Sequence, residues 1–337
     1  MTTRQSGAFA RRAAPAPGDG PVVRVERLSV AYGSLIAVRD VSFEVGPGEI
    51  FGLVGPNGAG KTSITESVGG LRSPLRADSI SVCGLDPRRD RRAVSPLIGM
   101  QLQESQFPSR TRVGELCSLY EVIYREPGAS ARLLEAFGLA ERRGSLITEL
   151  SGGMRQRLSL ALAQIGDVRL VVLDELTTGL DPDQRRSTWH AVLDLAERGV
   201  AVLLTSHSMD EVAALCGRVG VLCDGELIAL DTPARLTVAH GGPTVVSVGV
   251  DVPPGVEQLL EGLGLTRLSA GPDGQVDYAA RVPADYDRAV QELVAAGLPA
   301  SVVSRRPPTL EDAYLRLMGT ATERTTAEKD TLTKGDD

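Results

Sequence analysis

The stretch IFGLVGPNGAGKTS, Ile50 to Ser63, constrains the fold more tightly than any other part of the chain. Ile50 to Val54 reads as a strand buried on both faces, and the eight residues after it, GPNGAGKT, fit G-x-x-x-x-G-K-[ST]. A buried strand that runs into such a loop, and then into a polar helix start, lets backbone N–H groups converge on a phosphate chain. The helix then points its positive end at the same anion. Gly55, Gly58 and Gly60 free the backbone for that approach. Pro56, Asn57, Ala59 and Ser63 complete the expected cradle, with Lys61 between the outer phosphates of a triphosphate and the Thr62 hydroxyl turned to Mg²⁺.

Composition sharpens the case for Lys61. Of 36 Lys and Arg residues only Lys61, Lys329 and Lys334 are lysine, and the last two lie in a polar tail. Surface cations in this chain are arginines, so the lysine in the folded part marks chemistry that a planar fork cannot supply. A compact ammonium between phosphates is such chemistry.

A second stretch, LVVLDELTTGLD from Leu170 to Asp181, ends a run of four aliphatic residues in two adjacent acids. Ionised carboxylates at the mouth of a core are costly unless something pairs with them. Asp174, closing a strand expected beside the phosphate-loop strand, can hold Mg²⁺ directly or through water. Glu175, pointing the other way along the pleat, is placed to act as base for a hydrolytic water. His207 closes the next apolar strand, VAVLLTSH, at the sheet edge where a γ-phosphate contact belongs. A third stretch, LSGGMRQRLSLALA from Leu150 to Ala163, is another glycine-rich helix start: Ser151 is an N-cap, and Gly152 and Gly153 leave the first N–H groups uncovered. The nucleotide's own phosphates already have a cradle, so this second anion site is economically explained by a nucleotide bound to a second copy of the chain.

The rest of the chain of 337 residues is organised around these motifs. Val22 to Val45 reads as a hairpin, Gln103 to Leu150 as mostly helical, and the part after Ser151 as strict strand–helix alternation, which implies a parallel sheet with helices on its faces. HGGPT at 240–244 reads as a linker into a small α+β domain over 244–319. Residues 1–21 and 320–337 read as a disordered leader and tail. No apolar run exceeds five residues, far short of a membrane span, so any work at a membrane requires another chain to cross it. A net charge of −7 argues against nucleic acid as partner, and four scattered cysteines without C-x-x-C spacing argue against a disulfide or zinc framework and for a reducing compartment.

LSGGMRQRL closely resembles the signature of ATP-binding cassette (ABC) transporter ATPases, and the other motifs follow in that family's order over about residues 22–240. The resemblance implies an α/β cassette with a mixed-sheet core, an antiparallel β subdomain and a helical subdomain at about 104–150. It implies ATP and Mg²⁺ as cofactors. It also places Tyr32 as the adenine-stacking aromatic and Gln103 as the Mg²⁺-sensing glutamine, with Gln101 as a weaker candidate. Gly179-Leu180-Asp181 falls at the loop that crosses the dimer interface, and His207 at the switch histidine. The implied partners are a second ATPase subunit, forming a homodimer or pairing with a paralogue, and a membrane permease that carries the subunit at the cytoplasmic face. ALDTPARL (229–236) and PTLEDAYLRLMG (308–319) resemble the ATPases of daunorubicin-resistance-type export systems, which implies export of a drug-like or other hydrophobic compound. An importer subunit and a soluble, non-transport ABC-type ATPase are the alternatives. One departure stands out: Leu176 occupies the position after the glutamate where the family usually has proline.

Overall fold

The computed structural model describes residues 20–101, 110–177, 180–248, 256–270, 276–280, 283–295 and 303–333. The chain divides after Thr232 into two compact units.

In the first unit, β1 (Val23–Tyr32) and β2 (Leu35–Val45) form the expected antiparallel hairpin. After β3 (Ile50–Val54) and α1 (Lys61–Val68), β4 (Ser79–Val82) pairs with the other edge of β1 to complete a three-stranded antiparallel sheet. Its polar–apolar alternation, SISV, lasts only four residues, which is why the sequence did not announce it. Then come α2 (Arg91–Val94), β5 (Ile98–Gln101), and the helices α3 (Val113–Tyr124) and α4 (Ala129–Ala136) of the segment read as helical. The remainder alternates as α5 (Gly152–Leu162), β6 (Leu170–Asp174), α6 (Pro182–Glu197), β7 (Ala201–Ser206), α7 (Met209–Leu215), β8 (Arg218–Cys223) and β9 (Glu226–Asp231).

The second sheet has the order β5-β6-β7-β3-β8-β9. It is parallel from β5 to β8, and every residue of β3, β6 and β7 is buried, as helices on both faces require. Two expectations are corrected here. The strict strand–helix alternation expected after Ser151 breaks at residues 218–231, where two strands follow each other because Asp224 and Gly225 both take positive φ (47° and 83°) and turn the chain into an antiparallel hairpin. The strand ending in Asp174 does not lie beside the phosphate-loop strand either: β7 pairs with both β3 and β6 and stands between them.

The second unit starts earlier than the linker at 240–244 suggested, because α8 (Pro233–His240) packs against the C-terminal helix α11 (Leu310–Thr333). Between them lie β10 (Thr244–Val248), α9 (Val256–Gly262), β11 (Thr266–Ala270), β12 (Val276–Ala280), α10 (Pro283–Ala295) and β13 (Val303–Arg306). The strands form one antiparallel sheet of order β11-β12-β10-β13. Leu260, Leu265, Tyr278, Ala289 and Leu293 cluster as a small core. α11 continues to Thr333, well past residue 319, where an unstructured tail was expected. Residues 320–333 contain no Gly or Pro, so nothing in them stops a helix already begun. Among the described residues no helix is long and apolar enough to cross a membrane.

Candidate functional site

β3, β6 and β7 are parallel, so Gly55, Asp174 and Ser206 emerge at one edge of the sheet. The loop leaving β3 turns at Gly58 (φ 84°) and Gly60 (φ 100°), and α1 begins at Lys61. A β-carbon on Gly60 would lie 2.5 Å from the Ala37 carbonyl oxygen and 2.9 Å from Val38 Cγ2, so β2 presses directly on the loop and closes it from behind. Lys61 curls back over the loop, its Nζ donating to the carbonyls of Gly55 (2.8 Å) and Pro56 (3.0 Å). Only 7% of the residue is exposed. Burial pushes the ammonium below its ordinary pKa, and the nearby carboxylates of Glu175 and Asp174 push it back up. The fold thus brings the lysine and both acids into one electrostatic neighbourhood.

The two acids are held differently. Asp174 is buried at the end of β6 and accepts a hydrogen bond from Thr205 Oγ1 on β7. Glu175 lies beyond the strand: its φ is +51°, so the turn of the backbone and not the alternation of the pleat sets its direction, which corrects the sequence reading. Its N–H donates to the Thr205 carbonyl (3.1 Å), and its Oε1 stands 3.5 Å from His207 Nδ1. Leu176 is wholly buried, and its carbonyl accepts from Gln156 Nε2 of α5.

Tyr32 ends β1 with its ring half exposed, its hydroxyl 3.0 Å from Ser63 Oγ on the first turn of α1. The guanidinium of Arg72 sits 4.3 Å from the ring centroid and forms an ion pair with Glu66. Arg72 therefore covers one face of the expected base platform, a contact that nothing in the sequence foretold. Gln103 and Gly179 lie outside the described residues. Gln101 ends β5 opposite Leu173, buried, and its amide oxygen has no hydrogen-bond partner among the described residues.

The second glycine-rich helix start has the expected cap: Ser151 Oγ accepts from the Met154 N–H at 3.2 Å. Its glycines differ in role. A β-carbon on Gly152 would meet nothing, whereas one on Gly153 would lie 2.0 Å from Gln184 Oε1 on α6. Gly152 thus faces open space, and Gly153 lies against the side-chain amide of Gln184. Asp181 caps α6 by accepting from the Gln184 N–H at 2.8 Å.

A phosphate loop pressed against one sheet edge, with two acids and a histidine delivered to that edge by neighbouring parallel strands, defines a P-loop nucleotide hydrolase. A profile for the ABC transporter family matches residues 38–178, and a second profile, described as an AAA domain (putative AbiEii toxin, type IV toxin–antitoxin system), matches residues 146–213. The chain is 35% identical over 309 residues to the Nod factor export ATP-binding protein I of Rhizobium johnstonii, covering 88% of this chain and 94% of that protein. The Bradyrhizobium diazoefficiens protein of the same name is 36% identical over 305 residues (87% and 95%). Among solved structures, the ATP-binding subunit of an ABC transporter matches with a TM-score of 0.61 at 25% identity, covering 65% of this chain and 93% of that one. A component of a Clostridium perfringens ABC transporter complex shares the fold with a TM-score of 0.60 at 22% identity, over 65% of this chain and 92% of that one. The chain belongs to the ATP-binding subunits of ABC transporters, ATPases that work with membrane permeases.

Proposed function

We propose that this subunit drives a separate permease for export, as a dimer of two identical chains with two ATP molecules between them. The observation that carries the export reading is the length of the match: relatives named for export align over 88% of the chain, a span that the nucleotide-binding unit alone cannot fill. The cargo class is a drug-like or other hydrophobic compound. The permease holds the subunit at the cytoplasmic face of the membrane. Exposed Leu119, Val122 and Ile123 on α3 support a docked partner, together with a nearby cavity of about 250 Å³ lined in part by Tyr120, Tyr124, Met100 and Leu71.

In each site one chain contributes the loop Gly55 to Ser63, Tyr32 against the adenine, Gln103, Asp174, Glu175 and His207. The other contributes Ser151, Gly152 and Gly153, with Asp181 in the loop between the two chains. Gly152's open face supports that division. The residues present fit Mg²⁺: one buried carboxylate (Asp174), one hydroxyl (Thr62) and a glutamine suit an ion that keeps most of its shell as water and phosphate oxygen. Bound there, the ion would neutralise charge on the β- and γ-phosphates. Lys61 balances the outer phosphates, Glu175 takes the proton of the attacking water, and His207, beside Glu175, orients that water and the γ-phosphate. ATP closes the dimer, and hydrolysis followed by product release reopens it.

The test is Glu175→Gln, which keeps shape and removes basicity. Turnover should fall by roughly 10²- to 10⁴-fold, the ordinary contribution of a general base, while ATP binding persists. Unchanged steady-state ATPase activity would remove Glu175 from that role. Expression together with the membrane protein of a neighbouring gene should give co-purification, and accumulation of a labelled hydrophobic compound should rise in cells carrying the Glu175→Gln subunit. A fall in accumulation would point to import instead.

A further inference from the structure

The chain has a buried acid that the site as described does not use. Glu211, on the first turn of α7, is 1% exposed, and its carboxylate accepts three side-chain hydrogen bonds. Thr177 Oγ1 donates to Oε1 at 2.8 Å, Trp189 Nε1 to the same oxygen at 3.3 Å, and Ser206 Oγ to Oε2 at 2.5 Å. Its own N–H donates to Ser208 Oγ at 3.4 Å, and the Ser208 N–H donates to Ser206 Oγ at 3.0 Å. A carboxylate this deeply buried is tolerable only with its lone pairs occupied, as they are here.

The partners sit where catalysis would need them. Thr177 is two residues beyond Glu175, and Ser206 and Ser208 flank His207. Trp189 belongs to α6, the helix that Asp181 caps. The turn after β6 is consequently fastened at three successive residues by three different elements: the Glu175 N–H by Thr205 of β7, the Leu176 carbonyl by Gln156 of α5, and the Thr177 hydroxyl by Glu211 of α7. Glu175 holds a positive φ that an L residue rarely adopts, and Leu176 has no ring to restrict the backbone there. External fastening supplies the missing rigidity.

We infer that Glu211 is a positioning residue for ATP hydrolysis, a buried carboxylate that holds Glu175 and His207 in mutual register by tying Thr177, Ser206 and Trp189 to one point. The inference rests on Glu175 and His207 serving the reaction as proposed above. It differs from a packing role in one respect: the tie acts on the geometry of the hydrolytic pair, so its loss affects turnover and not ATP binding.

The experiment uses the full chain and its single tryptophan, Trp189, whose indole is one of the tied groups. Steady-state ATPase kinetics and Trp189 emission with and without ATP are compared for Glu211→Gln, Thr177→Val and Thr177→Ser. Displacing a catalytic group by about 1 Å can cost 10²-fold, so Glu211→Gln and Thr177→Val should lose about 10- to 100-fold in kcat while KM for ATP stays nearly constant. Thr177→Ser keeps the hydroxyl and should restore kcat. ATP should shift Trp189 emission in the wild type and in Thr177→Ser but not in Glu211→Gln. Val192→Ala, a cavity in the core side of the same α6, serves as the control for lost stability. Wild-type kcat in Glu211→Gln, or an equal kcat loss in a Val192→Ala protein of matched stability, would overturn the inference. Glu175→Gln, run alongside, separates the two claims: wild-type turnover in that variant refutes the base assignment, and the Trp189 response still decides whether the tie senses nucleotide.

Discussion

Replacing Lys61 by arginine separates charge from shape at the phosphate loop. If charge alone mattered, Lys61→Arg would be silent and Lys61→Met would lose one cation. A unit charge about 4 Å from a phosphate charge, at an effective dielectric of about 20, is worth about 4 kcal/mol, or nearly three powers of ten in kcat/KM. The structure argues that shape matters as well. Lys61 is almost wholly buried, its Nζ already fills the space between the Gly55 and Pro56 carbonyls, and β2 closes the loop behind Gly60. A guanidinium carries five N–H donors into that space, where two carbonyls accept, and each donor left buried without a partner costs roughly 1–3 kcal/mol. Overpacking adds a similar amount. Lys61→Arg should therefore lose about 10- to 10³-fold in kcat/KM for ATP despite its charge, and Lys61→Met about 10³-fold. Competition with a fluorescent ATP analogue and steady-state phosphate release would read both. Wild-type kcat/KM in Lys61→Arg would refute the claim that this site needs a compact ammonium.

The same burial sets a pH signature. The folded pKa of Lys61 lies below its ordinary value of 10.5, so between the two values the unfolded chain holds more protons and stability rises with pH. The stability of the wild type relative to Lys61→Met, from urea unfolding without nucleotide, should be lowest at neutral pH and climb as pH approaches 10.5. Saturating ATP, whose phosphates favour the charged form, should abolish the climb.

Two further substitutions follow from the packing. Leu176→Pro would remove a wholly buried leucine and press Glu175 from its positive φ toward extended backbone, so stability should fall by on the order of 2 kcal/mol and ATPase turnover should fall with it. A severalfold rise in turnover would instead make Leu176 a brake on the site. Gly99→Ala would put a β-carbon 1.9 Å from the Ala163 carbonyl at the end of α5, a backbone neighbour that cannot step aside, and Tm should drop by several degrees. Gly152→Ala meets open space and should leave Tm unchanged.

The phosphate loop was legible because its chemistry is local: a strand, a loop and a helix start lie consecutive in sequence, and each residue type follows from what the backbone must do. The hairpin at Val23–Val45, the parallel core and the cap at Ser151 were legible for the same reason. Strand order was not. The runs LVVL and VAVLL are equally apolar, and nothing in either says which one pairs with β3. The direction of Glu175 also escaped, since a positive φ at a non-glycine residue is imposed by tertiary hydrogen bonds. Arg72 over Tyr32 and the partners of Glu211 join residues 40, 34, 22 and 5 positions apart, with no periodicity to betray them. The helical course of 320–333 is the converse case: its composition is polar, yet no residue there breaks a helix.

Two adjacent carboxylates at the end of a core strand need not compete if each is anchored separately, and one residue accomplishes that here. Thr205 gives its hydroxyl hydrogen to Asp174 and its carbonyl to the Glu175 N–H. The first bond belongs to a side chain and the second to the backbone, so Thr205→Val cuts one and spares the other. Asp174 would then keep its burial but lose a donor, at a cost of about 1–3 kcal/mol in nucleotide-free stability. If Asp174 is the acid that meets Mg²⁺, the half-saturating Mg²⁺ concentration should shift in Thr205→Val, while kcat at saturating Mg²⁺ should stay within about threefold of wild type because Glu175 is still aimed. Thr205→Ser should behave as wild type in both. A Thr205→Val protein that loses turnover at saturating Mg²⁺ as severely as Glu175→Gln would show that the acids are not held independently, and that Asp174's hydrogen bond takes part in aiming the base.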